Sequence, residues 1–217
     1  MIKLLQLLKR FLLILVPSPM RNILAQLQHR GVRLEEYRAL EIFGGTGNFH
    51  TKDYADKVAN LEIWEIDPKC LGYLRKNFPK AQIRITDSYR EIRKVSRKYD
   101  LIIVDNPMST YGGHCEHFDL FPDIFRAATD SFILILNVIP RMNSFARMNY
   151  PYLFNPMQLA CRKMFYITEK PENLSLKEIM VAYKGLVEAS GLHLDWFFFE
   201  RRSLLFPVYY LVMKIER

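Results

Sequence analysis

The chain has 217 residues, of which 50% are hydrophobic and 25% charged, so it fits one α/β domain with a sizeable core. Its net charge of +8 and pI of 9.4 favour anionic partners such as nucleic acid, phosphorylated substrates or an anionic membrane surface. The three cysteines, Cys70, Cys115 and Cys161, form no Cys-x-x-Cys pair. This pattern excludes a disulfide framework and predicts a reducing, cytoplasmic compartment.

The first predicted element is a leucine-rich helix in residues 1–16. Lys9 and Arg10 interrupt its apolar run and leave residues 11–16 before Pro17, far fewer than the roughly 20 residues of a transmembrane helix. A signal peptide is not expected, because no small-residue cleavage site follows an uninterrupted apolar region. The leucines recur at helical spacing, so we expect an amphipathic helix that packs on the domain or on a second subunit of a homodimer. The alternative is a helix that lies on an anionic membrane surface.

Beyond this helix, the chain alternates between β-rich and helical segments, which predicts a parallel sheet with helices on both sides. The predicted helices are residues 20–37, 68–78, 89–98, 118–129 and 176–190. The predicted strands are the start of 39–47, then 61–66, 81–86, 99–105, 131–138, 193–201 and 207–215. A short connection joins the last two strands, so we expect them to be antiparallel neighbours.

Residues 140–175 break this alternation. The segment is long and rich in aromatic residues, and long excursions in compact domains are typical of lids or binding loops. We therefore divide the chain into N-terminal helices, residues 1–37, and one α/β domain, residues 38–217, with an insertion at about 140–175.

A glycine-rich turn follows the first strand, in Glu41-Ile42-Phe43-Gly44-Gly45-Thr46-Gly47. Glycine lets the backbone adopt positive φ and approach a ligand closely, and a strand, glycine turn and helix start form the nucleotide-binding corner of doubly wound folds. Glu65 stands twenty positions after Gly45, the distance at which a strand-end acid reaches ribose hydroxyls. The alternative role for Glu65 is a strand-end charge, and Asp67 is expected to cap the next helix.

These segments resemble a class I S-adenosylmethionine-dependent methyltransferase over about the last four-fifths of the chain. Phe43 departs from the family pattern, which usually has glycine there. The resemblance implies a doubly wound, mostly parallel seven-stranded α/β sheet with an antiparallel C-terminal hairpin, and S-adenosylmethionine as cofactor. It also implies methyl transfer to an oxygen or nitrogen of a small-molecule or glycan-type acceptor. The cofactor-binding residues that it implies are Glu41, Gly44, Gly45, Thr46, Gly47, Glu65, Ile66, Asp87, Ser88 and Asp105.

The third strand ends at Thr86-Asp87-Ser88, where an acid in similar methyltransferases accepts a hydrogen bond from the adenine amino group. The next backbone N–H donates to the adenine ring. The alternative role for Asp87 is an N-cap for the helix predicted in residues 89–98.

The fourth strand ends at Asp105-Asn106-Pro107-Met108, where this family performs its substrate chemistry. The motif resembles the Asn-Pro-Pro-Tyr type of amino-methylating enzymes, but Met108 and Ser109 replace its last two residues. With the following glycine loop it also resembles spermidine-synthase-type enzymes, so an aminopropyltransferase is an alternative. Asp105 would act as a general base or hold the nucleophile in line. Its alternative role is a buried acid that ties the loop down.

The segment His114-Cys115-Glu116-His117 is the densest reactive cluster of the chain. Its spacing matches no usual zinc pairing, so we predict no metal site. His114 and His117 are predicted to be catalytic or substrate-contacting because histidine exchanges protons near neutral pH. A surface loop without a catalytic role is the alternative.

Other functional classes fit the sequence less well. A dinucleotide dehydrogenase would need a third glycine where His50 stands, and no lysine follows the glycines as in a phosphate-binding NTPase loop. Five basic residues of the helix predicted in residues 89–98 form a solvated stripe, with RNA or anionic lipid as the alternative partner. Because no RNA-binding module is appended, nucleic acid is not favoured. A non-catalytic membrane-associated or partner-binding protein that kept the fold is a further alternative.

Overall fold

The computed structural model describes residues 18–48, 50–105, 110–111, 113–142, 147–148, 151–202 and 207–217. The predicted N-terminal helix in residues 1–16 lies outside the described residues, and so does the segment 106–109. None of the described helices is both long enough and apolar enough to cross a membrane.

A seven-stranded sheet organises the described chain, in the order β3-β2-β1-β4-β7-β9-β8. Its strands are β1 (Arg38–Ile42), β2 (Asn60–Glu65), β3 (Gln82–Ile85), β4 (Tyr99–Val104), β7 (Ala128–Val138), β8 (His193–Arg201) and β9 (Tyr209–Glu216). The first five of these strands pair in parallel, and β9 runs antiparallel between β7 and β8. Two short strands, β5 (Thr110–Tyr111) and β6 (His114–Cys115), form a separate ribbon. The predicted sheet and its C-terminal hairpin are confirmed.

Helices cover both faces of the sheet. They are α1 (Pro19–His29), α2 (Thr51–Tyr54), α3 (Leu71–Asn77), α4 (Ser88–Glu91), α5 (Pro156–Tyr166) and α6 (Leu176–Ala189). Successive residues of β4 alternate between two apolar cores: Leu101 and Ile103 belong to the core that includes the buried face of α1, and Ile102 and Val104 to the core that includes α6. This alternation follows from the two-residue period of a strand, and it makes the domain doubly wound.

The ends of α6 follow ordinary capping chemistry. Ser175 and Glu178 form a reciprocal capping box at its start, which satisfies two backbone N–H groups. Gly191, just beyond its end, has a φ of 71°. The predicted helix in residues 176–190 is therefore confirmed, and it ends where glycine supplies the left-handed conformation.

Three predicted helices differ from the structure. Residues 118–129 form two 3₁₀ turns, Phe118–Leu120 and Asp123–Ala127, instead of a helix, because Pro122 has no N–H and its ring would clash with the preceding turn. The helix predicted in residues 89–98 ends at Glu91, so its basic residues do not form one helical stripe. The helix predicted in residues 20–37 ends at His29, and the turn Leu34–Glu36 follows.

The predicted insertion at 140–175 holds the turn Pro151–Phe154 and helix α5 in its described part. Asn155 caps α5 by accepting a hydrogen bond from the backbone N–H of Gln158 at 2.8 Å. The division of the chain at residue 37 and the boundaries of the insertion stay predictions.

Candidate functional site

The glycine-rich turn lies at the carboxyl end of β1, between β2 and β4 in the sheet. Gly45 and Gly47 have φ values of 54° and 69°. A Cβ added at Gly44 would lie 2.2 Å from the Ile63 side chain, and one added at Gly47 would lie 2.1 Å from the Phe78 ring. A Cβ at Gly45 would meet no atom within 4 Å. Gly44 and Gly47 are therefore needed for packing, whereas Gly45 borders open space where a ligand fits.

Phe43 adopts a backbone conformation that favours glycine. Its φ is 68°, which costs a residue with a Cβ about 1–2 kcal/mol. The Phe43 ring packs against Tyr89 with 5.6 Å between the ring centroids. The turn thus has the left-handed backbone at the position where the family pattern has glycine, and the departure from that pattern lies in the side chain.

Glu65, at the end of β2, is bonded to the glycine-rich turn. One carboxylate oxygen accepts the N–H of Gly45 at 2.6 Å, and the other accepts the N–H groups of Ile66 and Asp67, both at 2.8 Å. These three bonds fix the carboxylate at the strand end beside Gly45. Ile66, which follows, is an exposed apolar side chain with 36% of its surface accessible.

Glu41 is buried at the end of β1 and accepts a hydrogen bond from the Thr51 hydroxyl at 2.8 Å. Its pKa is raised from the usual 4.5 to about 8, mainly by burial, with smaller contributions from the nearby charges of Asp105 and Glu65. The side chain is therefore mainly protonated at pH 7, and it connects the glycine-rich turn to α2.

Glu41→Gln should stabilise the protein at neutral pH. Below pH 4.5 the carboxyl is protonated in both states. Between pH 4.5 and 8 the unfolded state releases its proton while the folded state keeps it, so the free energy of unfolding falls as the pH rises. We expect a gain of about 3 kcal/mol at pH 7 from the substitution and almost none at pH 4.5. Urea unfolding from pH 4.5 to 8 measures this difference, with the exposed Glu35→Gln as control. A gain that does not grow with pH would contradict the assignment.

Asp87 caps α4 at the end of β3. Its carboxylate accepts the N–H groups of Tyr89 at 3.0 Å and Arg90 at 3.4 Å, as its alternative role predicted, and the predicted adenine contact stays a prediction. Ser88 is buried beside it. The predicted cap by Asp67 is confirmed, because its carboxylate accepts the N–H of Lys69 at 2.9 Å.

Asp105, at the end of β4, has three partners, which come from β7, from β9 and from the residue that follows β8. It forms an ion pair with Arg202 at 2.9 Å and accepts hydrogen bonds from the Tyr210 hydroxyl at 3.1 Å and from the Asn137 amide. The His50 ring lies edge-on to Tyr210 at 5.4 Å. Three donors already engage the carboxylate, so the structure favours the anchoring role of Asp105 over proton transfer.

Two ring contacts connect His114 to the glycine-rich turn: His114 stacks on Tyr89, and Tyr89 packs against Phe43. The His114 ring is stacked on Tyr89 with centroids 4.0 Å apart, and its Nδ1 lies 2.6 Å from the Asp119 carboxylate. Nε2 has no hydrogen-bond partner among the described residues. When Nδ1–H donates to Asp119, a neutral imidazole presents a proton acceptor at Nε2.

His117 is fully buried in an aromatic cluster and is not brought to Asp105. Its Nε2 is hydrogen-bonded to the Tyr183 hydroxyl. Burial and the nearby Arg162 lower the pKa of His117 from 6.5 to about 3, so the ring stays neutral. The structure therefore favours a structural role for His117 and gives no support to the predicted catalytic role.

Several residues of the site were not predicted from the sequence. Asp119 follows His114 by five positions, so a His–Asp pair was a usable local signal. The partners of Asp105 are separated from it by 32 residues or more. Among the residues that the structure describes, no group of three His, Cys, Asp or Glu side chains is placed to hold a metal ion.

In the comparisons with known proteins, the matches are to solved structures. No family model and no curated protein matched the sequence. The N-methyltransferase NodS from Bradyrhizobium japonicum WM9 superposes with a TM-score of 0.56 at 12% identity, over 93% of this chain and 99% of that one. Magnesium protoporphyrin IX methyltransferase (ChlM) from Synechocystis PCC 6803, with bound S-adenosylhomocysteine, gives 0.59 at 14% identity, over 91% and 81%.

The plantazolicin methyltransferase BamL, in complex with a triazolic desmethyl analogue and S-adenosylhomocysteine, gives a TM-score of 0.57 at 12% identity, over 91% of this chain and 84% of that one. Identities this low establish similarity of fold. The strand order, the antiparallel C-terminal hairpin and these superpositions agree, and the chain has the class I methyltransferase fold.

Proposed function

We propose that the chain is an S-adenosylmethionine-dependent methyltransferase that acts on an oxygen or nitrogen of a small-molecule or glycan-type acceptor. The main support is the hydrogen bond from Gly45 to Glu65. It brings a turn that borders open space and a fixed carboxylate together at the carboxyl ends of two parallel strands, where doubly wound folds bind nucleotides.

The described residues fit this cofactor. The open space at Gly45 admits a ligand close to the backbone, and the Glu65 carboxylate, with about four lone-pair sites and three backbone donors, retains one site for a ribose hydroxyl. The exposed Ile66 supplies an apolar surface for adenine, and Asp87 with Ser88 lies at the neighbouring strand end. When bound, S-adenosylmethionine supplies an electrophilic methyl group, and catalysis then depends mostly on alignment of the nucleophile.

His114 is the residue best placed to take a proton from the acceptor. The Asp119 carboxylate orients its ring, and Tyr89 supports one face of it. Such a pair serves as general base when the acceptor is a hydroxyl or a protonated amine. ChlM is a magnesium protoporphyrin IX methyltransferase, and BamL was crystallised in complex with a triazolic desmethyl analogue. These two structural neighbours support a small-molecule acceptor for this chain.

The aminopropyltransferase alternative is weaker, because it requires an acid that helps deprotonate an amine. Asp105 is the predicted residue for that role, and Arg202, Tyr210 and Asn137 already occupy its carboxylate. Incubation of the protein with decarboxylated cofactor and a polyamine, followed by mass spectrometry, tests this alternative directly.

The first test of the methyltransferase proposal is calorimetric titration with S-adenosylhomocysteine, where the absence of binding would contradict it. Acceptor screening by release of S-adenosylhomocysteine follows. With an acceptor in hand, His114→Asn should lower kcat by about 100-fold and leave the affinity for S-adenosylhomocysteine unchanged. The exposed His29→Asn is the matched control. An unchanged kcat in His114→Asn would exclude the base role.

A further inference from the structure

A cavity of about 330 Å³ lies at the amino-terminal ends of the parallel strands. It is lined by the first residues of β1, β2, β3 and β4, which are Arg38, Asn60, Gln82 and Tyr99. Because β1 runs for five residues from this end to the glycine-rich turn, at about 3.3 Å per residue, the cavity is separate from the proposed cofactor site.

Positive charge dominates the lining of this cavity. Four basic side chains and one acidic side chain face it: Arg38, Lys80, Arg97, Lys98 and Glu62. The acid adds little negative charge at the cavity surface, because Glu62 is 4% exposed and receives four donors. Those donors are the Trp64 ring N–H at 2.8 Å, the Tyr99 hydroxyl at 2.9 Å, Arg97 at 3.1 Å and Arg84 at 3.4 Å.

Glu62 holds Arg97 in a fixed orientation at the cavity wall. One terminal nitrogen of the Arg97 guanidinium donates both to Glu62 and to the Gln82 side chain, whereas 62% of the side chain is exposed. Since a guanidinium carries five N–H donors, the remaining ones are available to a ligand. A held guanidinium loses less conformational entropy on binding than a free one.

The other cations of the lining leave a positive excess. Lys80 has no ion pair among the described residues, and Lys98 donates to the backbone carbonyl of Arg126, which carries no charge. Arg38 lies 3.5 Å from Asp100, so this one cation is neutralised. Lys80 and Lys98 thus present positive charge without a paired acid among the described residues, and Arg97, although paired with Glu62, adds N–H donors to the same cavity.

We propose that this cavity binds a compact phosphate-bearing anion, either a free organic phosphate or the phosphate of a lipid headgroup. A guanidinium fork matches two phosphate oxygens, and lysine ammonium groups add point charges. The volume lies near the lower end of the range of about 300–1,000 Å³ for small-molecule sites. Arg97 and Lys98 are two of the five basic residues noted in residues 89–98. The proposal therefore gives these two residues a ligand. The proposal is independent of methyl transfer.

The test measures binding of inorganic pyrophosphate by calorimetry at constant ionic strength, and flotation with phosphatidylcholine vesicles with and without phosphatidic acid. Wild-type protein, Lys80→Gln and Arg97→Gln are compared with Lys184→Gln, a lysine on α6 outside the cavity. Each cavity variant should bind about 10-fold more weakly, and Lys184→Gln should match the wild type. Lys80→Gln removes no ion pair or side-chain hydrogen bond among the described residues, so it remains informative if Arg97→Gln fails to fold.

The two arms separate the sources of the phosphate. Pyrophosphate binding that the cavity variants weaken assigns a free phosphate. Flotation that requires phosphatidic acid and is lost in the cavity variants, without pyrophosphate binding, assigns a headgroup. Equal binding by Lys80→Gln, Lys184→Gln and the wild type, or no binding in either arm, would overturn the proposal.

Discussion

Arg162→Ala should lower the free energy of unfolding by about 3–5 kcal/mol, because it breaks a buried ion pair. The Arg162 and Glu116 side chains are 0% and 2% exposed and lie 3.0 Å apart. Arg162 also donates to the backbone carbonyls of Ile139 at 2.6 Å and Pro171 at 2.9 Å. Alanine would leave a buried carboxylate and two carbonyls without these donors.

A second pair on the same helix provides the control. Lys163 and Glu169 lie 2.6 Å apart, but their side chains are 51% and 83% exposed. Lys163→Ala should therefore cost less than about 1 kcal/mol, although its contact is the shorter one. Urea unfolding of both variants measures the two costs. Similar losses would show that burial is not the source of the effect.

A double variant isolates the charge at Glu116. When Arg162→Met is combined with Glu116→Gln, the buried carboxylate disappears, and much of the stability lost in Arg162→Met should return. The Gln158 amide, which donates to Glu116 at 2.7 Å, can still donate to the glutamine carbonyl. No recovery in the double variant would place the loss in the contacts to Ile139 and Pro171.

This ion pair also links two predicted parts of the acceptor site. Glu116 lies two residues after His114, and Arg162 lies on α5 within the predicted insertion. Because the pair is buried, the insertion is held against the segment that carries His114. Loss of Arg162 should therefore disturb the His114–Asp119 pair and also lower the stability of the fold.

The strands were predictable because each is a local pattern. Parallel strands buried on both faces are near-continuous apolar runs, and residues 99–105 and 131–138 show such runs. The predicted C-terminal strand in residues 193–201 has the observed bounds, His193–Arg201. By contrast, the helix predicted in residues 118–129 was wrong, because Pro122 cannot continue a helix through this segment.

The site was predictable only where its residues are close in sequence or at a known spacing. Gly45 and Glu65 were found through their separation of twenty positions, and their hydrogen bond joins them in the structure. The pairing of Glu116 with Arg162 spans 46 residues and leaves no local pattern. Partners distant in sequence favour the anchoring role of Asp105, and burial favours a structural role for His117. A sequence does not show which polar residues the packing will enclose or pair.

Phe43 illustrates the limit of motif matching. A residue pattern suggests that a position without glycine cannot follow the path of a glycine turn. The structure has Phe43 at a φ of 68°, and its ring is held against Tyr89. Packing contributes to holding a conformation that local preference disfavours, and a motif does not contain that information.

Glu65→Gln should weaken binding of S-adenosylhomocysteine by up to about 100-fold, because a charge-assisted hydrogen bond to a ribose hydroxyl would be lost or weakened. The glutamine side chain keeps the size of Glu65 and one carbonyl oxygen. It can still accept from Ile66 and Asp67, but its NH₂ group cannot accept the N–H of Gly45. Calorimetry measures the affinity, and urea unfolding measures the accompanying loss of stability.

Asp67→Asn is the matched control, two positions away on the same strand end. Asp67 accepts the N–H of Lys69, and asparagine is also a good N-cap, so the fold should be retained. Because we assign Asp67 to capping alone, its variant should bind S-adenosylhomocysteine as the wild type does. If Asp67→Asn lost affinity and Glu65→Gln kept it, the ribose contact would belong to Asp67. If both variants bound as the wild type, the cofactor would not use this strand end.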